Sequence, residues 1–312
     1  MEFKLNKSIL LILAVLCILL ILPCTFASDL ENNTISIDDS DEAITADDSV
    51  IFVSNDENTG DGTESNPYNS ISQAVSEYNS TKNSNIYIKN GNYKIENEIE
   101  LNKDITIIGE SEKETILDAD NQESVFKITN KAKVTLINLT FINAKSNYGA
   151  ICASSAKNLT IKNCVFENNT NSAIYCYDYF SSINIHISNS TFTNNKNNGA
   201  LSIAFGDLLN ISNCIFENNE NSNTGGAIYL YNNFKQANIY NSRFIGNIAT
   251  KGTAIGLYNA GNLFIENSEF LSNNGATITD ESSVVYDIRS NNGEVTLTLN
   301  KNTFSKDRKS VV

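Results

Sequence analysis

The stretch NCVFENN at residues 163–169 decides the fold, because its pattern returns along most of the chain. At its centre, an Asn is followed three residues later by a Phe. The pair recurs as Asn138/Phe141, Asn163/Phe166, Asn189/Phe192, Asn213/Phe216, Asn241/Phe244 and Asn267/Phe270. Successive Phe residues of this series are 24 to 28 positions apart. A nearly constant period of this length predicts a solenoid.

The residues around each Asn-x-x-Phe pair indicate short strands. An aliphatic residue stands two positions before each Asn, and a small residue followed by Ala comes after each Phe. Apolar residues are spaced by two, as in Leu159 and Ile161, which is the period of a strand. The pattern predicts an all-β, single-stranded right-handed parallel β-helix with three short strands per coil, each paired about 4.8 Å from its equivalent. A β-propeller fits less well, because its blades run to about 40 residues or more.

The recurrence of Asn at one corner of the coil predicts an internal asparagine ladder. Its side-chain amides would satisfy buried backbone groups of the turns. The predicted members are Asn138, Asn163, Asn189, Asn213, Asn241 and Asn267. The alternative is that Asn recurs here only because it favours turns.

Residues 1–27 have the composition of a signal peptide. Two lysines precede the 14-residue apolar run Ile9–Leu22, and small residues end the segment at Ala27. We predict cleavage after Ala27 and a secreted or cell-surface mature chain. One alternative is an uncleaved membrane anchor, although the run is short of the roughly 20 residues that span a bilayer. Another is a lipoprotein modified at Cys24.

The remaining chain divides into three segments. Residues 28–49 are rich in Asp and Glu and contain no Lys or Arg, which predicts a disordered acidic linker. Residues 50–84 are expected to form a strand and a short helix that cap the solenoid, the helix starting at a capping box of Ser70 and Gln73. Residues 85–312 are expected to form the β-helix.

The charge balance excludes one class of partner. The chain has 36 acidic and 22 basic residues, a formal net charge of −14. Proteins that bind nucleic acid need Lys and Arg to displace condensed counterions. We therefore expect no nucleic-acid partner, and contact with a membrane only through an uncleaved signal segment.

Four cysteines follow the signal segment, and the repeat predicts that they are free thiols. Cys164 and Cys214 share one position of the coil, but Ser190 occupies it in the coil between. The two would lie about 9.6 Å apart, beyond the roughly 7 Å that a disulfide can bridge. Cys152 and Cys176 are in neighbouring coils but offset by one residue, which turns them to opposite faces.

Two parts of the sequence resemble known families. The segments IFVS (51–54), GDGT (60–63) and NPY (66–68), with the helix that follows, are similar to the N-terminal cap of pectate-lyase-like right-handed β-helix proteins. The repeat NCVFENN resembles the coils of polymorphic outer-membrane proteins and of adhesin-like surface proteins from methanogenic archaea. The resemblance covers about residues 50–304. It implies the fold more than a function, because this fold carries lyases, hydrolases, esterases and adhesins alike.

The outward positions of the coils show no catalytic constellation. The position after Phe reads Glu167, Thr193, Glu217, Ile245 and Leu271, and the position before Asn reads Lys162, Ser188, Ser212, Tyr240 and Glu266. Asp178 and Asp207 stand isolated in the sequence, and His186, the only His, is expected on the outer surface with no acid beside it. Nucleophilic catalysis by Ser needs an adjacent base. We therefore expect no catalytic residue, no metal site and no cofactor.

One surface feature indicates binding. In the strand after the small-Ala pair, the outward positions carry Tyr175, Tyr177, Tyr229, Tyr231 and Tyr258. Ser202 and Ala204 interrupt this stripe. Aromatic faces with Asn and Asp around them suit sugar rings or a protein partner, although Tyr also favours strands in general.

These features lead us to expect an adhesin-like β-helix protein that binds a glycan or a cell-surface protein without catalysis. Two alternatives stay open at this point. One is a carbohydrate-active enzyme of the polysaccharide lyase or glycoside hydrolase type with an atypical site. The other is a structural surface spacer.

Overall fold

The computed structural model describes residues 50–56, 60–179, 182–274, 285–288 and 296–305 of the 312-residue chain. All of them belong to the unit that runs from Ala46 onward. The predicted signal segment and acidic linker lie outside the described residues. Within the described part of the chain, no helix is both long and apolar enough to cross a membrane.

The strands form three parallel sheets, called A, B and C in the order in which the chain visits them. Sheet A contains Val50–Val53, Asn85–Ile88, Ile105–Gly109, Lys133–Ile137, Asn158–Lys162, Asn184–Ser188, Leu208–Ser212, Gln236–Tyr240, Asn262–Glu266 and Leu297–Asn300. Sheet B contains Gly91–Lys94, Thr115–Asp118, Thr140–Ile142, Val165–Glu167, Thr191–Thr193, Ile215–Glu217, Arg243–Ile245, Glu269–Leu271 and Thr303–Ser305. Sheet C contains Ile99–Leu101, Phe126–Ile128, Ile151–Cys152, Ile174–Tyr177, Leu201–Ala204, Ile228–Tyr231, Ile255–Tyr258 and Val285–Ile288.

Neighbouring strands of each sheet come from consecutive coils and pair in parallel. In sheet B, for example, Phe166 is in register with Phe141 on one side and with Phe192 on the other. A coil therefore runs through one strand of sheet A, one of B and one of C before it returns to A. The predicted fold class, an all-β parallel β-helix with three short strands per coil, is confirmed.

The core is a set of stacked columns, because the register places equivalent residues above one another. Phe141, Phe166, Phe192, Phe216, Phe244 and Phe270 are each fully buried. Neighbouring rings of this column have centroids 4.7–4.9 Å apart and planes within 7° of parallel. This distance is the spacing of paired strands. Burial of each Phe contributes about 1.5–3 kcal/mol, so the recurrent Phe is a principal source of stability.

A short helix, α1 (Ile71–Glu77), lies against the first coil. The side chain of Ser70 accepts a hydrogen bond from the backbone N–H of Gln73 at 3.3 Å, so Ser70 is the predicted N-cap. Ile71 and Ala74, one helical turn apart, are buried and join the core.

The Asn corner between sheets A and B differs from the prediction. Asn138, Asn163, Asn189, Asn213, Asn241 and Asn267 have left-handed backbone conformations, with φ between 49° and 55°. Asn138 is half-buried, and the other five are exposed. On this surface the amide of Asn163 donates to Asn138 at 3.2 Å, and that of Asn267 donates to Asn241 at 2.7 Å. The placement of these residues inside the coil was therefore wrong. Asn recurs here because it tolerates a left-handed conformation.

An internal asparagine ladder does exist, six residues farther along each coil. The prediction that the fold contains a ladder is therefore confirmed, although other Asn residues form it. Its members are Asn169, Asn195, Asn219, Asn247 and Asn273, none more than 1% exposed. The Nδ2 atom of each of the first four donates to Oδ1 of the next at 2.9–3.0 Å. Every Nδ2 of the ladder also donates to a Phe carbonyl one coil earlier, at 2.9–3.1 Å. Every Oδ1 accepts a backbone N–H from the preceding coil at 2.9–3.2 Å.

The four described cysteines are free and buried. Cys164 and Cys214 alternate with Ser190 in one position inside the first corner, where Ser190 Oγ accepts the Cys164 N–H at 3.1 Å. Cys152 is in register with Tyr175, whereas Cys176 is in register with the buried Ile203, so these two face opposite ways. Burial raises the pKa of the Cys164 and Cys214 thiols to about 12, which keeps them unreactive.

Candidate functional site

The outer face of sheet C carries a group of aromatic side chains that we call the aromatic layer. Its members are Tyr148, Tyr175, Tyr177, Tyr179, Phe205, Tyr229, Tyr231 and Tyr258. Strand alternation explains the five tyrosines predicted from the sequence. The residues between them, such as Cys176 and Leu230, point inward and are buried.

Neighbouring aromatic rings cover Ser202 and Ala204, the two small residues that interrupt the row of tyrosines in the sequence. Ser202 and Ala204 are 3% and 0% exposed. Tyr177 and Tyr231 are in register with Ala204 from either side, and their ring centroids approach to 6.2 Å above it. The aromatic layer is therefore continuous across four neighbouring strands.

Three members of the aromatic layer lie outside the strands and were missed by the sequence analysis. Tyr148 precedes a strand and packs on Tyr175, with ring centroids 5.6 Å apart. Phe205 follows a strand in a left-handed conformation, with φ of 58°. Its ring lies edge-on to Tyr177 at 5.5 Å and to Tyr179 at 5.0 Å. The alternation of strands cannot predict side-chain directions in such turns.

The aromatic layer has a packed centre and an open rim. Tyr229 and Tyr231 stack with centroids 4.5 Å apart and planes at 10°, and both are half-buried, as is Tyr175. The most exposed rings are Tyr179 at 69% and Tyr148 at 51%, followed by Tyr177 at 47% and Tyr258 at 39%. A ligand on this face would meet the rim first.

Burial also fixes the charge state of the central phenols. It is the main cause that raises the pKa values of Tyr175, Tyr229 and Tyr231 above the ordinary value. These groups stay protonated at neutral pH and offer neutral hydroxyl donors beside apolar ring faces. Such a surface is suited to recognition of hydroxyl-bearing rings and does not supply a phenolate base.

Charged groups adjoin the aromatic layer at the corner from sheet C to sheet A. Asp178 follows Tyr177 directly, and Asp207 lies two residues beyond Phe205 in the next coil. The Asp207 carboxylate pairs with Lys235 Nζ at 2.5 Å. From the sequence, Asp178 and Asp207 were expected to be isolated. For Asp207 this was wrong, because its partner lies one coil away.

His186 occupies a half-buried position on the outer face of sheet A. Its Nδ1 is 3.3 Å from Nδ2 of Asn210, whose Oδ1 accepts from Asn238 at 2.8 Å, and Asn238 in turn accepts from Gln236 at 2.7 Å. Burial lowers the pKa of His186. The amide chain assigns Nδ1 as the acceptor, which leaves the proton on Nε2. His186 therefore accepts a hydrogen bond through Nδ1 in this arrangement.

Ion pairs also occur at other outward positions. Arg243 and Glu269 on sheet B form an ion pair at 2.7 Å. Among the described residues, no group of three or more His, Cys, Asp or Glu side chains is arranged to hold a metal ion. The aromatic layer with its charged corner is the candidate functional site.

No protein-family model matches the sequence, and no curated protein matches it. Among solved structures, the chain is similar to the PL6 family alginate lyase AlyGC, with 14% identity over 82% of this chain and 39% of the lyase, and a TM-score of 0.42. It is also similar to the Agl-KA catalytic domain, with 17% identity over 77% of this chain and 50% of that domain, and a TM-score of 0.40. A third is the mannuronan C-5 epimerase AlgE4 A-module of Azotobacter vinelandii, with 13% identity over 78% of this chain and 92% of the module, and a TM-score of 0.30.

These similarities correct the leading functional expectation. The similar structures are an alginate lyase, a catalytic domain and a mannuronan epimerase, and none of the three is an adhesin. The expectation of a non-catalytic adhesin-like protein was therefore wrong. The chain spans less than two thirds of the first two structures, and at 13–17% identity the likeness concerns the fold.

Proposed function

We propose that this chain is an exported, carbohydrate-active β-helix enzyme that binds a polysaccharide along the aromatic layer of sheet C. The observation that carries the proposal is the aromatic layer itself. Four neighbouring strands hold it, from Tyr175 to Tyr258. Three strand spacings amount to about 14 Å, a length that accommodates a few sugar units.

The chemistry of the aromatic layer supports this substrate class. The apolar ring faces of the rim residues Tyr177, Tyr179 and Tyr258 can pack against the C–H faces of sugars. The neutral hydroxyl groups can bond sugar hydroxyls without a charge to desolvate. A contiguous exposed aromatic surface of this kind is a typical interaction site.

The charged corner is the part of the site to which the proposal assigns catalysis. A lyase or hydrolase needs side chains that transfer protons beside the bound chain. In the proposal, Asp178 and Asp207 are the proton-transferring carboxylates. Lys235, held by Asp207 at 2.5 Å, is the cation that stabilises negative charge on the substrate.

Binding is tested with the full chain against a panel of neutral and acidic polysaccharides by affinity electrophoresis. The variant Tyr177→Ala/Tyr179→Ala should weaken binding about tenfold, because each aromatic contact contributes about 0.5–1.5 kcal/mol. Tyr240→Ala is the matched control, since Tyr240 is an exposed tyrosine on the outer face of sheet A. Failure to bind any polysaccharide, or equal losses in the two variants, would contradict the proposed site.

Turnover is tested on the polysaccharide that binds, by the appearance of reducing or unsaturated ends. Asp178→Asn and Asp207→Asn should each abolish product formation while binding persists. Glu167→Gln, on the outer face of sheet B, should leave both properties intact. Binding by the unaltered chain without any product would refute the catalytic part of the proposal and leave the binding part standing.

A further inference from the structure

Six Asn-x-Ser/Thr sequences fall within the described residues. They begin at Asn79, Asn138, Asn158, Asn168, Asn189 and Asn210. This sequence is the acceptor for N-linked glycosylation in exported proteins. Acceptance also requires that the Asn amide and the hydroxyl two residues later can be reached, and the six sites differ sharply in this respect.

Three of the six acceptor residues lie in exposed turns. Asn168 and Asn189 have left-handed backbones, with φ of 57° and 50°, and exposed side chains. Asn79 is exposed just after helix α1. There the Thr81 hydroxyl and N–H donate to Asn79 Oδ1 at 2.8 and 3.0 Å. Both hydrogen bonds hold the side-chain amide by its oxygen, and neither uses Nδ2, the atom that would be glycosylated.

The other three acceptor residues are engaged by the fold. Next to Asn138, Thr140 is 8% exposed and its hydroxyl donates to the Glu112 carbonyl. Asn210 lies within a strand of sheet A, where Nδ2 faces His186 and Oδ1 accepts from Asn238. Asn158 begins a strand of sheet A that is paired on both sides, and its side chain is half-buried.

We propose that Asn79, Asn168 and Asn189 are N-glycosylation sites of the exported chain, and that the other three sequences stay unmodified once the protein is folded. The co-substrate is an oligosaccharide linked to a lipid phosphate. In the transfer, Asn Nδ2 forms a bond to the anomeric carbon and loses one proton. The bond from that carbon to the phosphate oxygen breaks, and the lipid phosphate leaves.

The repeat provides internal controls for this assignment. Asn163 and Asn213 occupy the same corner as Asn189 and are likewise exposed and left-handed. The residues two positions later are Val165 and Ile215, so neither belongs to an acceptor sequence. Glycan on Asn189 but not on Asn163 or Asn213 would therefore show that modification requires the acceptor sequence and not exposure alone.

Glycosylation at these positions would frame one face of the β-helix. Asn168 lies at the corner between sheets B and C, and Asn189 lies at the corner between sheets A and B in the next coil. The two glycans would border the outer face of sheet B. The inference rests on export, which the first 27 residues predict, and is independent of the polysaccharide site.

The test uses the full chain purified from a host without N-glycosylation, divided into a folded and a urea-unfolded sample. Each is incubated with an oligosaccharyltransferase and a lipid-linked oligosaccharide, the unfolded sample immediately after dilution of the urea and before the chain refolds, and glycopeptides are identified by mass spectrometry. The folded sample should carry glycan on Asn79, Asn168 and Asn189, and the unfolded sample on all six sites. Thr191→Val should remove the Asn189 glycan, whereas Thr191→Ser should keep it.

Glycan on Asn138 or Asn210 of the folded chain would overturn the proposal, because the folded geometry would then not restrict access. Absence of glycan from Asn168 and Asn189 in the folded chain would overturn it as well. Neither result bears on polysaccharide binding, since none of these substitutions touches the aromatic layer.

Discussion

The two corners that flank sheet B place Asn in opposite environments. At the corner between A and B, Asn189 is exposed and left-handed, and the buried Ser190 follows it. At the corner between B and C, Asn194 is also left-handed, but the residue that follows it, Asn195, is buried. At both corners, one residue adopts the left-handed conformation that turns the chain, and the next residue forms hydrogen bonds with buried backbone groups.

The buried residues of the two corners differ in how firmly they connect neighbouring coils. Ser190 Oγ accepts the Cys164 N–H and donates to the Ser188 carbonyl, at 3.1 and 2.7 Å. Asn195 accepts an N–H in the same way but also donates through Nδ2 to Phe166 O and to Asn219 Oδ1. Asn therefore recurs for two different reasons: at one position it adopts a left-handed turn, and at another its buried side-chain amide forms hydrogen bonds. Recurrence in the sequence alone does not distinguish these two roles.

The largest effect in this comparison is expected from Asn219→Ala. Asn219 Oδ1 accepts the buried Asn195 N–H, and its Nδ2 donates to Phe192 O and Asn247 Oδ1. Each buried group left unpaired costs about 1–3 kcal/mol, so the free energy of unfolding should fall by about 3 kcal/mol or more. Urea denaturation measures it, with Asn218→Gly, at the exposed left-handed position beside it, as the control. A loss below about 1 kcal/mol would show that the ladder contributes little.

A smaller effect is expected from Asn213→Ala at the other corner. Asn213 has φ of 53°, and Ala in a left-handed conformation costs about 1–2 kcal/mol. Asn213→Gly should stay within about 0.5 kcal/mol of the unaltered protein, because Gly adopts this conformation freely and the side chain is exposed. Equal losses in the two variants would instead indicate a buried amide role at this corner.

The smallest effect is expected from Cys164→Ser. The position is buried, and Ser already occupies it in the neighbouring coil at Ser190. A hydroxyl at position 164 could donate to the Lys162 carbonyl, where the thiol now lies at 3.2 Å. The free energy of unfolding should change by less than about 1 kcal/mol, since one hydrogen bond replaces another. A loss comparable to that of Asn219→Ala would mean that the two corners do not differ as described.

The periodicity of the sequence was sufficient to predict the fold but not the position of the ladder. Alternation correctly placed Phe166 inside and Glu167 outside. The left-handed Asn168 then interrupts the alternation, so Asn169 points inward where a continuous strand would place Asn168. The available signal was the recurrence of Asn at positions 169, 195, 219, 247 and 273, each three residues after the recurrent Phe, just as the exposed series stands three residues before it.

The candidate site was predicted only in part, because strand alternation gives the directions of side chains in strands but not in turns. Five tyrosines follow from strand alternation in sheet C, whereas Tyr148, Tyr179 and Phe205 lie in turns whose direction alternation does not determine. The Asp207–Lys235 ion pair joins residues 28 positions apart, which become neighbours only when consecutive coils stack. Function depends on such side chains and not on the fold.

The most direct test of the account is to locate the bound polysaccharide by nuclear magnetic resonance of tyrosine rings. The full chain is labelled at tyrosine and titrated with an oligosaccharide of the polysaccharide that binds, and Tyr→Phe variants assign the signals. Signals of Tyr177, Tyr179 and Tyr258 on the rim should shift and saturate together. The signal of Tyr240 on sheet A and that of the buried Tyr93 should stay in place. Shifts centred on Tyr240, with an unaltered rim, would contradict the central claim that sheet C binds the substrate.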